Sequence, residues 1–384
     1  MNYIGQIALI LILTLLAGAI SQRVGMPAVI GQLLVGVLLG PGLLGILQNT
    51  ALMHAGSEIG VIILMFIAGI ESDLDLLRKY FKPAISVAAI GVLFPMVAFT
   101  VYGQWLGQSF EKAIFWGVIF AATSVSISVE VLREFKRLNT KEGATILGAA
   151  VVDDIIAVIL LSIFVSSFGV GEAGKTNLVV TTGYQFIYFV LVIAVVKWGA
   201  PVLLKLAERL PVHGSVAITS LFLCLSMAWL ADATGLSAVV GAFFAGVAVS
   251  QTEFQSEVST SVSSVGYTFF IPIFFVSIGL DMTFGGVIKN FGFIVIMTGL
   301  AIVTKLVGGA IGARLTNLNW HSAIAIGSGM VSRGEMALII AQIGLGAHLM
   351  ATNLYSEIII VIVLSTIVAP LLLKWSLGHV PAKS

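Results

Sequence analysis

Long apolar runs separated by short polar or Gly/Pro breaks recur from one end of the chain to the other. A helix needs about 20 apolar residues to cross a bilayer. Reading for such runs between breaks predicts thirteen segments, at 3–21, 27–47, 55–71, 84–106, 112–133, 143–168, 182–206, 214–232, 235–251, 262–281, 291–314, 320–347 and 356–377. The polar positions between them divide by charge. Loops after odd-numbered segments, with the C-terminus, hold Arg23, Arg78, Lys79, Lys82, Arg133, Lys136, Arg137, Lys141, Lys205, Arg209, Arg314, Lys374 and Lys383, and the other side holds Lys112, Lys175 and Lys289. By the positive-inside rule the odd-numbered loops and the C-terminus face the cytoplasm and the N-terminus faces outward.

The pattern repeats weakly at an offset of about 208–210 residues. Val24-Gly25-Met26-Pro27-Ala28-Val29-Ile30-Gly31 in the second segment resembles Thr234-Gly235-Leu236-Ser237-Ala238-Val239-Val240-Gly241 in the ninth. Phe66-Ile67-Ala68-Gly69-Ile70-Glu71-Ser72-Asp73, ending the third, resembles Phe274-Phe275-Val276-Ser277-Ile278-Gly279-Leu280-Asp281, ending the tenth. Matching segments are seven apart, an odd number, so the halves are expected to insert with opposite polarity: repeat one over 3–168, a linker helix at 182–206 and repeat two over 214–377. The same offset sets Ala122-Thr123-Ser124-Val125-Ser126 opposite Met330-Val331-Ser332-Arg333-Gly334-Glu335, two polar interruptions in apolar runs. Matched interruptions of this kind predict two discontinuous helices presenting backbone groups at mid-membrane, although a lone Ser or Thr can also bond back to its own helix.

Composition sharpens the class. Hydrophobic residues make up 59% of the 384 and charged residues 10%, where soluble domains carry about a quarter charged. The chain therefore reads as an all-α polytopic membrane protein in a lipid bilayer, in one integral unit. A net charge of +1 without a basic run gives no footing for a nucleic-acid partner. The single cysteine, Cys224, lies in an apolar segment and can form no intrachain disulfide. Met1-Asn2-Tyr3 lacks a basic signal-peptide start, so the first run is expected to be a retained helix, and the few residues after Trp375 are too short for a regulatory domain.

Charges deep in apolar segments then stand out: Asp153 and Asp154 in the sixth, Lys305 in the eleventh, Arg333 and Glu335 in the twelfth. An intramembrane acid costs about 2.5–3.5 kcal/mol on insertion scales and marks an ion or proton path. Lys305 is too far from either end of its segment to snorkel and needs a carboxylate. Adjacent helical residues point about 100° apart, so one aspartate can face Lys305 while the other faces a cavity. Hydroxyls of Thr123 and Ser124 and nearby carbonyls would complete an oxygen site for a monovalent cation such as sodium. Burial penalises charge, so cation and protons compete for these oxygens. If the cation displaces a proton from one aspartate and frees the other from Lys305, which then deprotonates, two protons exchange for one cation; a purely structural Lys305 pair is the alternative. Arg333 and Glu335, two residues apart, need not pair with each other. Arg333 suits bracing of the break better than ion handling, with Ser332 beside it, and Glu335 fits either role. Glu71, Asp73 and Asp75 read as a solvated mouth or a cation funnel. His213, His321 and His348 fall near segment ends and define no site.

At these residues the chain resembles the cation:proton antiporter superfamily, specifically the NapA-type sodium/proton antiporters of its electrogenic branch. The resemblance spans nearly the whole chain and rests on Gly148-Ala149-Ala150-Val151-Val152-Asp153-Asp154, Pro27-Ala28-Val29-Ile30-Gly31-Gln32, Gly40-Pro41 and Lys305. The electroneutral branch has Asn, and Kef-type potassium systems typically Gln, where this chain has Asp153. The resemblance implies an NhaA/NapA-like fold with two crossed discontinuous helices, a homodimer in the cell membrane and elevator-type movement. It implies a core domain drawn from helices within 55–168 and 262–347, the remaining helices dimerising. It further implies Asp154 as the main cation- and proton-binding residue and Asp153 as the switchable partner of Lys305. No cofactor is implied; sodium, lithium or potassium and protons are cargo, since some relatives, spore-germination antiporters included, also exchange potassium. An uncoupled cation channel is the competing class and lacks a filter-like sequence; an intramembrane enzyme lacks any nucleophile–base pair.

Overall fold

The computed structural model describes residues 3–48, 50–168, 178–280, 290–346 and 349–380, and among them every regular element is helical. In chain order these are α1 (Tyr3–Arg23), α2 (Ala28–Leu39), α3 (Ala51–Glu71), α4 (Leu74–Lys79), α5 (Phe81–Trp105), α6 (Phe110–Ala121), α7 (Val125–Glu134), α8 (Lys141–Phe168), α9 (Leu178–Ala194), α10 (Ala200–Glu208), α11 (Ser215–Ala233), α12 (Ala238–Ser250), α13 (Gln255–Val265), α14 (Ile271–Leu280), α15 (Phe291–Leu315), α16 (Trp320–Gly329), α17 (Glu335–Gly346) and α18 (Thr352–Gly378). Single π-helical turns at Val195–Gly199 and Gly266–Phe270 join α9 to α10 and α13 to α14. Lys175, Asp281, Lys289, His348 and Lys383 lie outside the described residues.

Nine stretches among the described residues are long and apolar enough to cross a membrane, against the thirteen segments expected: Tyr3–Arg23, Ala51–Glu71, Phe81–Trp105, Phe110–Glu134, Gly183–Glu208, Ser215–Ala233, Gln255–Leu280, Phe291–Leu315 and Asn353–Gly378. Of the other four expected segments, three are shorter or divided. The run expected at 27–47 forms a helix of only 12 residues, because Pro41 forces Gly40 into an extended conformation (φ −70°, ψ 173°) and ends α2 there. Its counterpart α12 has 13 residues. The run at 143–168 forms one unbroken helix as expected, the 28-residue α8, which carries Lys141, Glu142, Asp153 and Asp154. The run at 320–347 divides into α16 and α17 around 330–334.

Close contacts divide the chain into two units. The first comprises Met1–Asn49, Leu76–Lys175 and Phe275–Ser384, and the second Thr50–Asp75 and Thr176–Phe274. In the first unit α5 packs along α15, α6 and α8, and α15 along α16. In the second, α12 packs along α3 and α11. The same helix contact recurs within each unit. A Cβ on Gly36 of α2 would strike the Val276 carbonyl of α14, beside Gly279, and a Cβ on Gly246 of α12 would strike the Phe66 carbonyl of α3, beside Gly69. Each partner is displaced by 210 positions, 36 to 246, 66 to 276 and 69 to 279. Likewise Gly31 abuts the Ala17 carbonyl and Gly241 the Met227 carbonyl. Such backbone contact requires small residues on both helices. Gly36→Val and Gly246→Val are therefore each expected to destabilise by about 1–3 kcal/mol, the overpacking range. The check is a lowered melting temperature in detergent relative to Gly183→Ala, where an added Cβ meets nothing within 4 Å.

Candidate functional site

Two of the expected polar interruptions are breaks in helices. α6 stops at Ala121 and α7 starts at Val125, with Ala122 and Ser124 extended between them (ψ 141° and 120°). α16 stops at Gly329 and α17 starts at Glu335. The breaks bind each other: Ser124 N donates to Ser332 O at 2.8 Å and Ser332 Oγ donates to Ser124 O at 2.6 Å. Ser128 Oγ, one turn into α7, donates to Gly329 O and lies 3.2 Å from Ser332 Oγ. Gly334 leaves room for the Ser124 hydroxyl, since a Cβ there would fall 2.6 Å from Ser124 Oγ. In an apolar setting these mutual bonds satisfy backbone groups that water would otherwise hold.

A helix that ends inside the bundle leaves unpaired carbonyls carrying partial negative charge. At the end of α6 two cations meet them. Lys305 Nζ, from α15, donates to Ala121 O at 2.6 Å and to Asp153 Oδ1 of α8 at 3.1 Å. Arg333 donates to Phe120 O and Ala301 O at 2.9 Å and to Val331 O at 3.0 Å, and its guanidinium lies 5.5 Å from the Phe120 ring, which stacks on Phe99. Its own backbone is fixed by Thr366 of α18, whose hydroxyl donates to Arg333 O and lies 3.3 Å from Arg333 N. Lys305, Arg333 and Ser332 are fully buried, Asp153 is 1% exposed and Asp154 5% exposed.

The expected residues are thus distributed in a definite way. Asp153, Lys305, Arg333, Ser124 and Ser332 converge on the contact between the two breaks, where Arg333 holds carbonyls. Asp154 is buried next to Asp153 on α8. Thr123 sits in the first break, buried; Thr123 Oγ1 and Asp153 Oδ2 have no hydrogen-bond partner among the described residues. Buried oxygens are normally paired, so these two remain open acceptors for a cation or, at Asp153, a proton. Glu335 opens α17, and its side chain lies outside the described part of the structure. Asp153 is paired with Lys305, and the Arg333 guanidinium is held by carbonyls.

Sequence reasoning overlooked Ser128 and Thr366. Both are hydroxyl residues in apolar helices, a pattern with many innocuous instances. It also overlooked two buried acids near helix ends. Glu142 accepts from Ser322 Oγ at the start of α16, and Glu357 accepts from Asn290 Nδ2. Their burial, at 2% and 7% exposure, is the only signal separating them from solvated terminal charges.

The sodium/hydrogen exchanger family, described as transmembrane, matches residues 9–378 of the chain. The chain is 51% identical over 380 residues to a Na(+)/H(+) antiporter of Enterococcus hirae, covering 98% of both proteins. It is 41% identical over 373 residues to the Na(+)/H(+)-K(+) antiporter GerN of Bacillus cereus, covering 97% of this chain and 96% of the relative. Among solved structures it is similar in fold to the sodium proton antiporter MjNhaP1 of Methanocaldococcus jannaschii at pH 8, with a TM-score of 0.69 and 16% identity, covering 97% of this chain and 96% of that one.

Proposed function

The chain belongs to the sodium/hydrogen exchanger family, and we propose that it is a secondary active antiporter exchanging a monovalent cation, sodium or lithium, for protons across the cell membrane. Membership in a family of transporters and close relatives named as Na(+)/H(+) antiporters support a multi-pass membrane antiporter rather than an enzyme. One observation carries the mechanism: a fully buried Lys305–Asp153 pair at 3.1 Å, with a second buried aspartate adjacent, at the crossing of two broken helices.

In this reading Asp154, with oxygens of Thr123 and Ser124, receives the cation or a proton. Asp153 exchanges partners, leaving Lys305 when the site is occupied. Arg333 and Ser332 keep the breaks in register, and Glu335 supports them. An empty, ionised site is excluded from crossing the apolar barrier because an uncompensated carboxylate there is costly, which makes exchange obligatory. If Lys305 releases its proton on cation binding, two protons move against one cation and the cycle is electrogenic. The 210-residue recurrence of glycine contacts supports an inverted repeat of NhaA/NapA type. The moving body of an elevator is drawn from the helices within 55–168 and 262–347, and the remaining helices dimerise; of those core helices, α5–α8 and α15–α17 share one unit. A homodimer with its N-terminus outside and C-terminus in the cytoplasm completes the proposal. The name of GerN supports a second reading, in which potassium is also carried.

Purified protein in liposomes with a trapped pH dye is expected to dissipate a preset pH gradient when sodium or lithium is added. Titrating each cation, potassium included, identifies the cargo. No response to any of the three overturns antiport, and saturable proton-free cation flux would favour a channel.

A further inference from the structure

α2 starts without a cap of its own, because Pro27 precedes it and offers no side-chain acceptor. Its first N–H, on Ala28, instead donates to Glu134 Oε2 at 3.0 Å, and Gln22 Nε2, near the end of α1, donates to Glu134 Oε1 at 3.3 Å. Glu134 is the last residue of α7, half-buried, and 106 positions from the helix it caps. The α18 end joins the same junction, with Lys374 Nζ 5.7 Å from the centre of the Phe135 ring. All four elements belong to one unit. A carboxylate at a helix N-terminus both satisfies an orphan donor and complements the helix dipole.

The other end of α7 is the first helix break. Its N-cap, Ser124, is bonded to Ser332, and the ten residues from Val125 to Glu134 form a rod about 15 Å long. α2 is locked to α1 and α14 by glycine contacts at backbone distance, yet α2 and α7 share few close approaches. The polar tie at Glu134 is thus the main joint between them. Hydrogen bonds weaken steeply with small displacements, whereas interlocked glycine contacts cannot slide without opening the core. A shift at the break therefore breaks this tie before it disturbs α2.

We infer that Glu134 is a positioning residue for exchange. Its carboxylate caps α2 in the arrangement described and lets go when cation or proton occupancy displaces the crossing. It touches neither cargo, and it makes the α1–α2 turn report the state of a site a full half-helix away. The inference rests on the antiport reading above.

Hydrogen exchange of the peptide covering 21–31, in full-length protein in liposomes at fixed pH, tests it with choline against saturating sodium, lithium or potassium. Wild type is expected to show cation-dependent protection at Ala28, changing by about 2- to 30-fold, the worth of an N-cap converted to a ratio. Glu134→Ala is expected to remove that protection under all conditions. Glu134→Gln, which keeps an acceptor oxygen, is expected to retain a smaller cation-dependent change. A static cap gives a different result: protection in wild type that ignores every cation, lost in Glu134→Ala. That outcome, in vesicles whose pH dye shows exchange, overturns the positioning role alone. Vesicles that exchange no cation overturn the antiport reading and this inference with it.

Discussion

Replacement of Asp154 by asparagine is expected to reduce exchange to the rate of empty liposomes for every cation. Asparagine matches aspartate in shape but is neutral, so it can neither carry a proton between the two sides nor balance a bound cation by charge. Coulomb attraction between unit charges at 4 Å is about 1 kcal/mol in water and about 4 kcal/mol at the effective dielectric of a protein. Losing it at a buried position removes most of the reason a dehydrated cation would enter. The remaining charges, Asp153, Lys305 and Arg333, keep their partners: the ion pair at 3.1 Å and the carbonyls of α6 and α15. Asp154→Asn is therefore expected to fold, purify and melt close to wild type while failing to transport. Dye-reported exchange and a melting curve on the same preparation check both halves. Normal exchange in this variant would remove Asp154 from the centre of the mechanism.

The parts legible in the sequence were those where polar residues are rare. Asp153, Asp154, Lys305 and Arg333 stand out because the surrounding runs are apolar, and a buried lysine has few possible partners; that scarcity pointed Lys305 to one of the two aspartates, while the choice of Asp153 came from the family resemblance. Helicity among the described residues was legible for the same reason, since in lipid a helix satisfies its own backbone groups. Local chemistry was read less well where two signals compete. Hydropathy extends the second segment to 47, while Pro41 ends α2 at Leu39, and the steric rule wins because it acts on the backbone directly. Pro95 and Pro370, by contrast, lie inside α5 and α18. The role of Arg333 at three carbonyls was not legible residue by residue, because carbonyl acceptors exist at every position and only the fold selects Phe120, Ala301 and Val331. The same holds for Lys305 on Ala121 O and for Glu134 on Ala28 N.

Single and double replacements of the Lys305–Asp153 pair are expected to behave in opposite ways for stability and to separate charge coupling from transport. Removing one partner of a buried ion pair leaves an uncompensated charge and costs about 3–5 kcal/mol, whereas replacing both with neutral groups is close to neutral. Lys305→Gln and Asp153→Asn alone are each expected to lower the melting temperature, and the double variant is expected to recover most of the loss, a non-additivity that contacting residues produce. Transport follows from charge counting at the crossing. On the proposed two-proton cycle, a wild-type site with Asp154 protonated carries Asp153, Lys305 and Arg333 charged, and a cation-loaded site with neutral Lys305 carries one positive charge fewer, so each such cycle would move net charge. With Gln at 305 and Asn at 153, the proton-loaded and cation-loaded forms carry the same charge, because Asp154 alone titrates. The double variant is therefore expected to exchange more slowly but without response to an imposed membrane potential, while wild type responds. Exchange in the double variant that still tracks the potential would mean that Lys305 serves only to hold Ala121 O and Asp153, and that the charge moved per cycle is set elsewhere.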